Sequence, residues 1–134
     1  MNFDQIKDDL DLFTEWEDRY GYIIDLGKQI SLPKEKKTDQ NKVNGCASQV
    51  WLDMRWDKPN NTRVFNIEGD SDALIVKGLI AILLSLYQGK TLVQTQAINP
   101  RVEFEKLGLN SHLSSQRSNG LKSMIDQIKI FVNT

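Results

Sequence analysis

The sequence predicts an α+β fold, a small antiparallel sheet with helices packed around it. Three observations carry that prediction. Apolar residues near both ends of the chain recur at helical spacing. Residues 50–68 instead alternate, in two runs joined by a polar turn, and a long apolar run follows the second. Helices, hairpin, helices is the order of an α+β domain. At 134 residues, one domain spanning 1–134 has enough chain to close a single hydrophobic core.

The first thirty residues read as helix. Thr14-Glu15-Trp16-Glu17 has the form of a capping box, in which Thr14 and Glu17 answer each other's exposed backbone amides. Tyr20, Ile23, Ile24 and Gly27 then share one helical face. Residues 32–42, LPKEKKTDQNK, are polar, charged and proline-bearing, and read as an exposed loop feeding the segment around Cys46. Beyond it Val50, Leu52, Met54 and Trp56 point to one face of a strand, Asp53 and Arg55 to the other. Pro59-Asn60-Asn61 supplies turn chemistry, and Arg63 to Glu68 reads as the returning strand. Alternation implies one sheet face under helices and one partly wet.

In DSDALIVKGLIAILLSLYQG, Ser71 reads as a helix N-cap, with Asp70 and Asp72 adding negative charge at the helix start and Gly89 closing its end. Leu79 to Leu84 is apolar all round, so this helix should be buried on most sides. A membrane span needs roughly 20 apolar residues. Asp72, Lys77 and Gln88 cut this run short. Residues 91–113 read as shorter helical pieces, broken at Asn99-Pro100 and Leu107-Gly108. A last helix starts near Ser114 or Ser115, with Leu121, Met124, Ile125, Ile128 and Val132 as its apolar stripe.

Composition narrows the function classes. The chain is 40% hydrophobic and 26% charged, which suits a folded domain and not a disordered one. Net charge is -1 with no basic block, so nothing invites nucleic acid. One cysteine makes neither an internal disulfide nor a four-thiolate metal site. The segment MNFDQIKDDL is acidic and lacks a long apolar run, so it reads as neither a secretory signal nor an Arg-rich transit peptide. With an unpaired thiol, that points to the cytoplasm.

Cys46 itself has two readings. Free cysteine is among the most buried residue types, and a small core residue is the bland one. Yet Asn44, Gly45, Ala47 and Ser48 make its surroundings look like a tight turn that leaves the sulfur approachable. A thiol must ionise to attack, and an unperturbed one, with a pKa of about 8.5, is mostly protonated at neutral pH. Lys34, Lys36, Lys37 and Lys42 precede it, either as an electrostatic aid or as a solvated loop face. His112, the one histidine, lies far off in NSHLSSQR and reads as a helix-start or packing residue. One Cys and one His scattered among acids form no metal-ligand spacing.

The stretch VNGCASQVWL resembles the cysteine motif of the SufE family, the sulfur-acceptor proteins of iron–sulfur cluster assembly. The likeness continues in RYGYIIDLGKQI (19–30), GDSDALIVKGLIAILLSLYQG (69–89) and LGLNSHLSSQRSNGLKSMI (107–125), in the family's order. The resemblance implies an α+β fold shared with IscU-type scaffold proteins. It implies that Cys46 is a persulfide-forming thiol in a protein that is not an enzyme and needs no cofactor of its own. The partner would be a SufS-like, pyridoxal-phosphate-dependent cysteine desulfurase, stimulated by the acceptor, with a SufB-containing scaffold downstream. A CsdE-type partner of a CsdA desulfurase shares the same motifs, and the resemblance leaves room for a homodimer.

Within these motifs, Arg117 matches the family's Ser-Arg-x-x-Gly element. Two roles stay open for it: stabilising a sulfur anion or partner carboxylate near Cys46, or anchoring the last helix. Asp70 and Asp72 match an Asp-Ser-Asp element that helix capping already explains. Gln49 and Trp51 follow the cysteine as in the family, and Trp51 reads as a packing residue. Two departures stand out: Ala47 where the family often has glutamine, and a loop before Cys46 richer in lysine. Two other classes compete. A one-cysteine peroxidase or hydrolase would need a base or anion-stabilising cluster at the sulfur. An iron–sulfur scaffold would normally need four cysteine ligands, and two chains would bring two.

Overall fold

The computed structural model describes residues 2–109 and 112–134, so residues 110 and 111 of the 107–125 motif lie outside the described residues. Its sheet is one antiparallel hairpin. Strand β1 (Val50–Asp57) runs against β2 (Val64–Ser71), in a register from Val50 opposite Ser71 to Asp57 opposite Val64. The connecting turn places Asn60 and Asn61 at φ 54° and 65°, the left-handed region that asparagine tolerates better than most residues. Strand β2 continues three residues past the expected Glu68, through Asp70 and Ser71.

Alternation sorts the hairpin as its residues require. Val50, Leu52, Phe65 and Ile67 are buried beneath α3 (Leu74–Tyr87), which carries Leu79, Ile80, Ile82 and Leu83 into the core. Trp56 stacks toward Phe65 and Phe131 on the same side. Asp53, Arg55 and Glu68 occupy the outer face. Lys36, in the short helical turn Lys34–Lys36, reaches Asp53 at 3.2 Å and Glu68 at 3.4 Å. The 32–42 loop is thus drawn over the wet side of the sheet. Exposed pairs of this kind contribute at most about 1 kcal/mol each.

Helix α2 (Trp16–Gly27) crosses α3 at close range because both bring glycine to the crossing. A Cβ on Gly78 would run into the carbonyl oxygen of Ile23, and one on Gly27 would stand 2.7 Å from the Gly78 nitrogen. Helix α1 (Phe3–Asp11) adds Phe3, Ile6 and Leu10 to the same core. After α3 come α4 (Leu92–Ala97) and α5 (Pro100–Lys106), broken at Asn99-Pro100 as the sequence requires. The last helix, α6 (Ser115–Val132), buries Leu121, Met124, Ile125, Ile128 and Val132, the stripe read from its spacing. Among the described residues no helix is long and apolar enough to cross a membrane.

Two capping expectations fail, for related reasons. The Thr14–Glu17 box does not form: α2 begins at Trp16, with extended Glu15 as N-cap and no side-chain bond there. The start is shifted by one residue, and the Trp16 ring is engaged in tertiary contacts with Tyr20 and His112. Ser71 does not cap α3 either, because it is the last residue of β2; Ala73 is the N-cap and makes no side-chain bond. A capping box does close at Thr91 and Gln94, at the start of α4.

Candidate functional site

Residues 44–49 form a loop pinched off at its base. Val43 N–H donates to the Val50 carbonyl at 2.9 Å, and Leu52 N–H to the Asn41 carbonyl at 2.9 Å. Such a narrow base forces the chain to reverse sharply, and Gly45 does so at φ +88°, where a side chain is strained. The turn lies against α6: a Cβ on Gly45 would stand 2.6 Å from the Ser123 hydroxyl oxygen.

Cys46 follows at the tip of the loop and is half-buried. Its thiol donates to the Gly120 carbonyl of α6 at an Sγ···O distance of 3.7 Å, a weak hydrogen bond that only the protonated sulfur can make. Burial pushes the Cys46 thiol above its ordinary value. In this docked position the sulfur is half-covered and its protonated form is favoured. It opens onto a cavity of about 260 Å³. Val50, Ile75, Leu79, Leu121 and Met124 make that cavity apolar, while Ser48, Ser114, Gln116 and Arg117 supply its polar lining.

The far end of the loop is clasped by the β2–α3 turn. Gln49 N–H donates to the Asp72 carboxylate at 3.0 Å, and Asp72 N–H returns a bond to the Gln49 carbonyl at 3.3 Å. Behind it, buried Asp70 meets Lys37 at 3.2 Å, Lys77 at 3.3 Å and the Ser71 amide at 2.8 Å. Burial pushes the Asp70 carboxyl up, but the Ser71 amide and the two ammonium groups outweigh it and hold it below the usual carboxylate value. Asp70 and Asp72 therefore fasten the loop region and do not cap a helix. Lys37 also lies over the Trp51 ring, 5.3 Å from its centre, on the outer face of β1.

Arg117 lines the Cys46 cavity from α6, one helical turn before Gly120. Its Nη2–H donates to the Tyr20 hydroxyl of α2 at 3.3 Å, so it also ties the last helix to the second. The geometry thus gives Arg117 an anchoring bond to α2 and a place in the cavity wall. His112 is elsewhere: it stacks on Trp16, ring centres 4.3 Å apart and planes at 12°, and does not line the cavity. Nor does any of Lys34, Lys36, Lys37 and Lys42. The loop lysines with partners are held by sheet carboxylates, so an electrostatic aid from them to the thiol finds no support. Among the described residues, no three His, Cys, Asp or Glu side chains gather as a metal-binding group.

Three contributors escaped sequence reasoning. Tyr20 was readable only as a member of a helical face, and Ser123 as a polar position on α6. Gly120 carried a signal, since a glycine inside a strongly periodic helix asks for a reason. Its spacing of three from Arg117 places both on one face.

Comparison with known proteins places this geometry in context. Residues 4–132 match the family described as SufE, Fe-S metabolism associated domain. An uncharacterised SufE-like protein of Rhizobium etli is 49% identical over 129 residues, covering 96% of this chain and 87% of the relative. A second, of Rhizobium meliloti, is 48% identical over 129 residues, covering 96% of this chain and 92% of the relative. Among solved structures, the solution structure of a hypothetical protein from Thermus thermophilus aligns with a TM-score of 0.74 at 16% identity. It covers 99% of this chain and 96% of the other, and shows the fold.

Proposed function

Because the chain belongs to the SufE family, we propose that it is a sulfur carrier whose Cys46 accepts persulfide sulfur from a SufS-type cysteine desulfurase. Members of that family are sulfur-transfer accessory proteins. The observation that carries the assignment to Cys46 is its placement: a thiol at the tip of a glycine-bearing loop, docked over a cavity with an apolar side and a polar side that holds Arg117.

The chemistry balances without an outside oxidant. The Cys46 thiolate attacks the terminal sulfur of the desulfurase's cysteine persulfide. The donor S–S bond breaks, the donor cysteine leaves as thiolate, and a persulfide forms on Cys46. The rate depends on thiolate fraction, leaving group and access, as in thiol–disulfide exchange. Docked, Cys46 is poorly ionised and half-covered, so reaction requires the 44–49 loop to leave α6 and present the sulfur. Afterwards the same cavity shelters the persulfide from reductants and oxidants until a SufB-containing scaffold accepts it. A hydrolase reading is disfavoured because His112 is stacked on Trp16, leaving the cavity without an imidazole base.

Intact-protein mass spectrometry tests the proposal. After incubation with a SufS-type desulfurase and cysteine, wild type should gain one or more sulfur atoms, reversibly by reductant, and Cys46→Ser should gain none. An unmodified wild type, with desulfurase turnover unchanged, would sink the SufS pairing. The same null result with a CsdA-type enzyme would sink the carrier reading.

A further inference from the structure

Among the described residues, Arg117 is the one permanently charged side chain lining the Cys46 cavity. It is half-buried, and among the described residues it pairs with no carboxylate. Its guanidinium has five N–H donors. The described hydrogen bonds engage it through one nitrogen, Nη2, to the Tyr20 hydroxyl. An arginine kept from neutralisation beside a thiol cavity is placed for an anion that is not always there.

Tyr20 is itself firmly set. It lies on the face of α2 that carries buried Ile23 and Gly27 toward α3. The edge of the Trp16 ring system meets its ring, centres 6.1 Å apart and planes at 69°, and Trp16 is braced in turn by His112. The guanidinium carbon of Arg117 lies 5.7 Å from the Tyr20 ring centre. A long, rotamer-rich side chain on α6 is thus fixed by a residue 97 positions away in sequence, through a contact that packing alone does not require.

We propose that Tyr20 is a positioning residue, whose hydroxyl holds the Arg117 guanidinium at the cavity so that it stabilises the sulfur anion of Cys46. The inference rests on the carrier reading for its purpose, but its physical content concerns the thiol alone. It predicts coupling: the hydroxyl of Tyr20 matters to the sulfur only while Arg117 is present. Trp16 and His112 support the tyrosine ring and act one step further back.

The single cysteine makes the test clean. With cysteine labelled by ¹³C at Cβ, one resonance reports the ionisation of Cys46 as pH is raised, without any partner. Tyr20→Phe keeps the ring and removes the hydroxyl. It should lower the thiolate fraction at a fixed pH in the titration range by roughly threefold, the scale of one net hydrogen bond. Arg117→Ala should lower it at least as much, and Tyr20→Phe should then add nothing. Arg117→Lys keeps a charge but cannot fork between two acceptors, and should fall between wild type and Arg117→Ala. Equal effects of Tyr20→Phe with and without Arg117, or an unmoved titration, would make Tyr20 a packing residue only. Thermal melts of each variant show whether the fold is kept; if Arg117→Ala fails to fold, the cycle is run with Arg117→Lys. Sulfur transfer from a desulfurase to wild type is measured separately, so its failure would remove the carrier reading and leave the coupling result standing.

Discussion

Gly45→Ala isolates the cost of docking the cysteine loop. Gly45 sits at φ +88°, and an alanine held there is strained by about 1–2 kcal/mol. The new Cβ would also stand 2.6 Å from the Ser123 hydroxyl oxygen. That oxygen can turn away, so backbone strain is the main cost. A loop that undocks escapes both. A bias of that size raises the ratio of undocked to docked loop by a factor of roughly 5–30. Alkylation of Cys46 by iodoacetamide at fixed pH should accelerate by up to that factor, because the undocked thiol is exposed and freed from the burial that holds its proton. The melting temperature should fall by less than the strain alone would give, because replacing glycine restricts the unfolded chain by an offsetting ~0.4–1 kcal/mol. Adding Ser123→Ala should leave most of the acceleration in place. An unchanged or slower alkylation together with a lowered melting temperature would refute the reasoning, since the loop would then hold its docked form and transmit strain into the fold.

Two further substitutions probe the frame around the loop. Gly78→Ala puts a methyl group against the Ile23 carbonyl and should destabilise the fold by about 3 kcal/mol in denaturant melts, the upper end of overpacking costs; a loss below about 0.5 kcal/mol would mean α2 and α3 do not approach this closely. Asp70→Asn removes the charge that Lys37 and Lys77 converge on and should cost about 2 kcal/mol at pH 7, the scale of charged hydrogen bonds. Because the folded carboxyl is held below its ordinary value, its contribution is present above about pH 4 and fades as pH falls through the folded value. The gap between wild type and variant should close on acidification, and a constant gap would deny Asp70 this role.

Legibility in the sequence followed how local each determinant is. The hairpin and the α6 stripe were readable because alternation and 3.6-residue spacing act within a few residues. The two failed caps were local readings overruled at a distance: Trp16 is drawn toward His112, and Asp70 and Ser71 into the sheet. At the site, the motif around Cys46 pointed to the loop and the Ser-Arg-x-x-Gly motif to Arg117. The Tyr20–Arg117 bond and the Gly120 acceptor join segments 97 and 74 residues apart, which no periodicity encodes. The lysines show the converse: closeness in sequence to Cys46 left an electrostatic role open, but the fold turns Lys36 and Lys37 to Asp53, Glu68 and Asp70.

Protection and reactivity make opposite demands on one sulfur, and the loop answers them by position. Docked, Cys46 gains a hydrogen bond available only to the thiol and loses solvation available mainly to the thiolate. Both favour the proton, so docking is strongest below the ordinary thiol value and weakens as pH rises through the docked one. The linkage also runs the other way: whatever draws the loop off α6 acidifies the thiol as it exposes it. A desulfurase that bound the undocked loop would then receive an accessible nucleophile and an activated one in a single step. If Arg117 stabilises the sulfur anion as proposed, it works against the docked state's bias, as the permanently charged side chain that borders the cavity among the described residues. Its pairing with Tyr20 in place of a carboxylate would keep that charge available to the persulfide of the proposed carrier, more acidic than the thiol it replaces, on its return to the cavity as an anion.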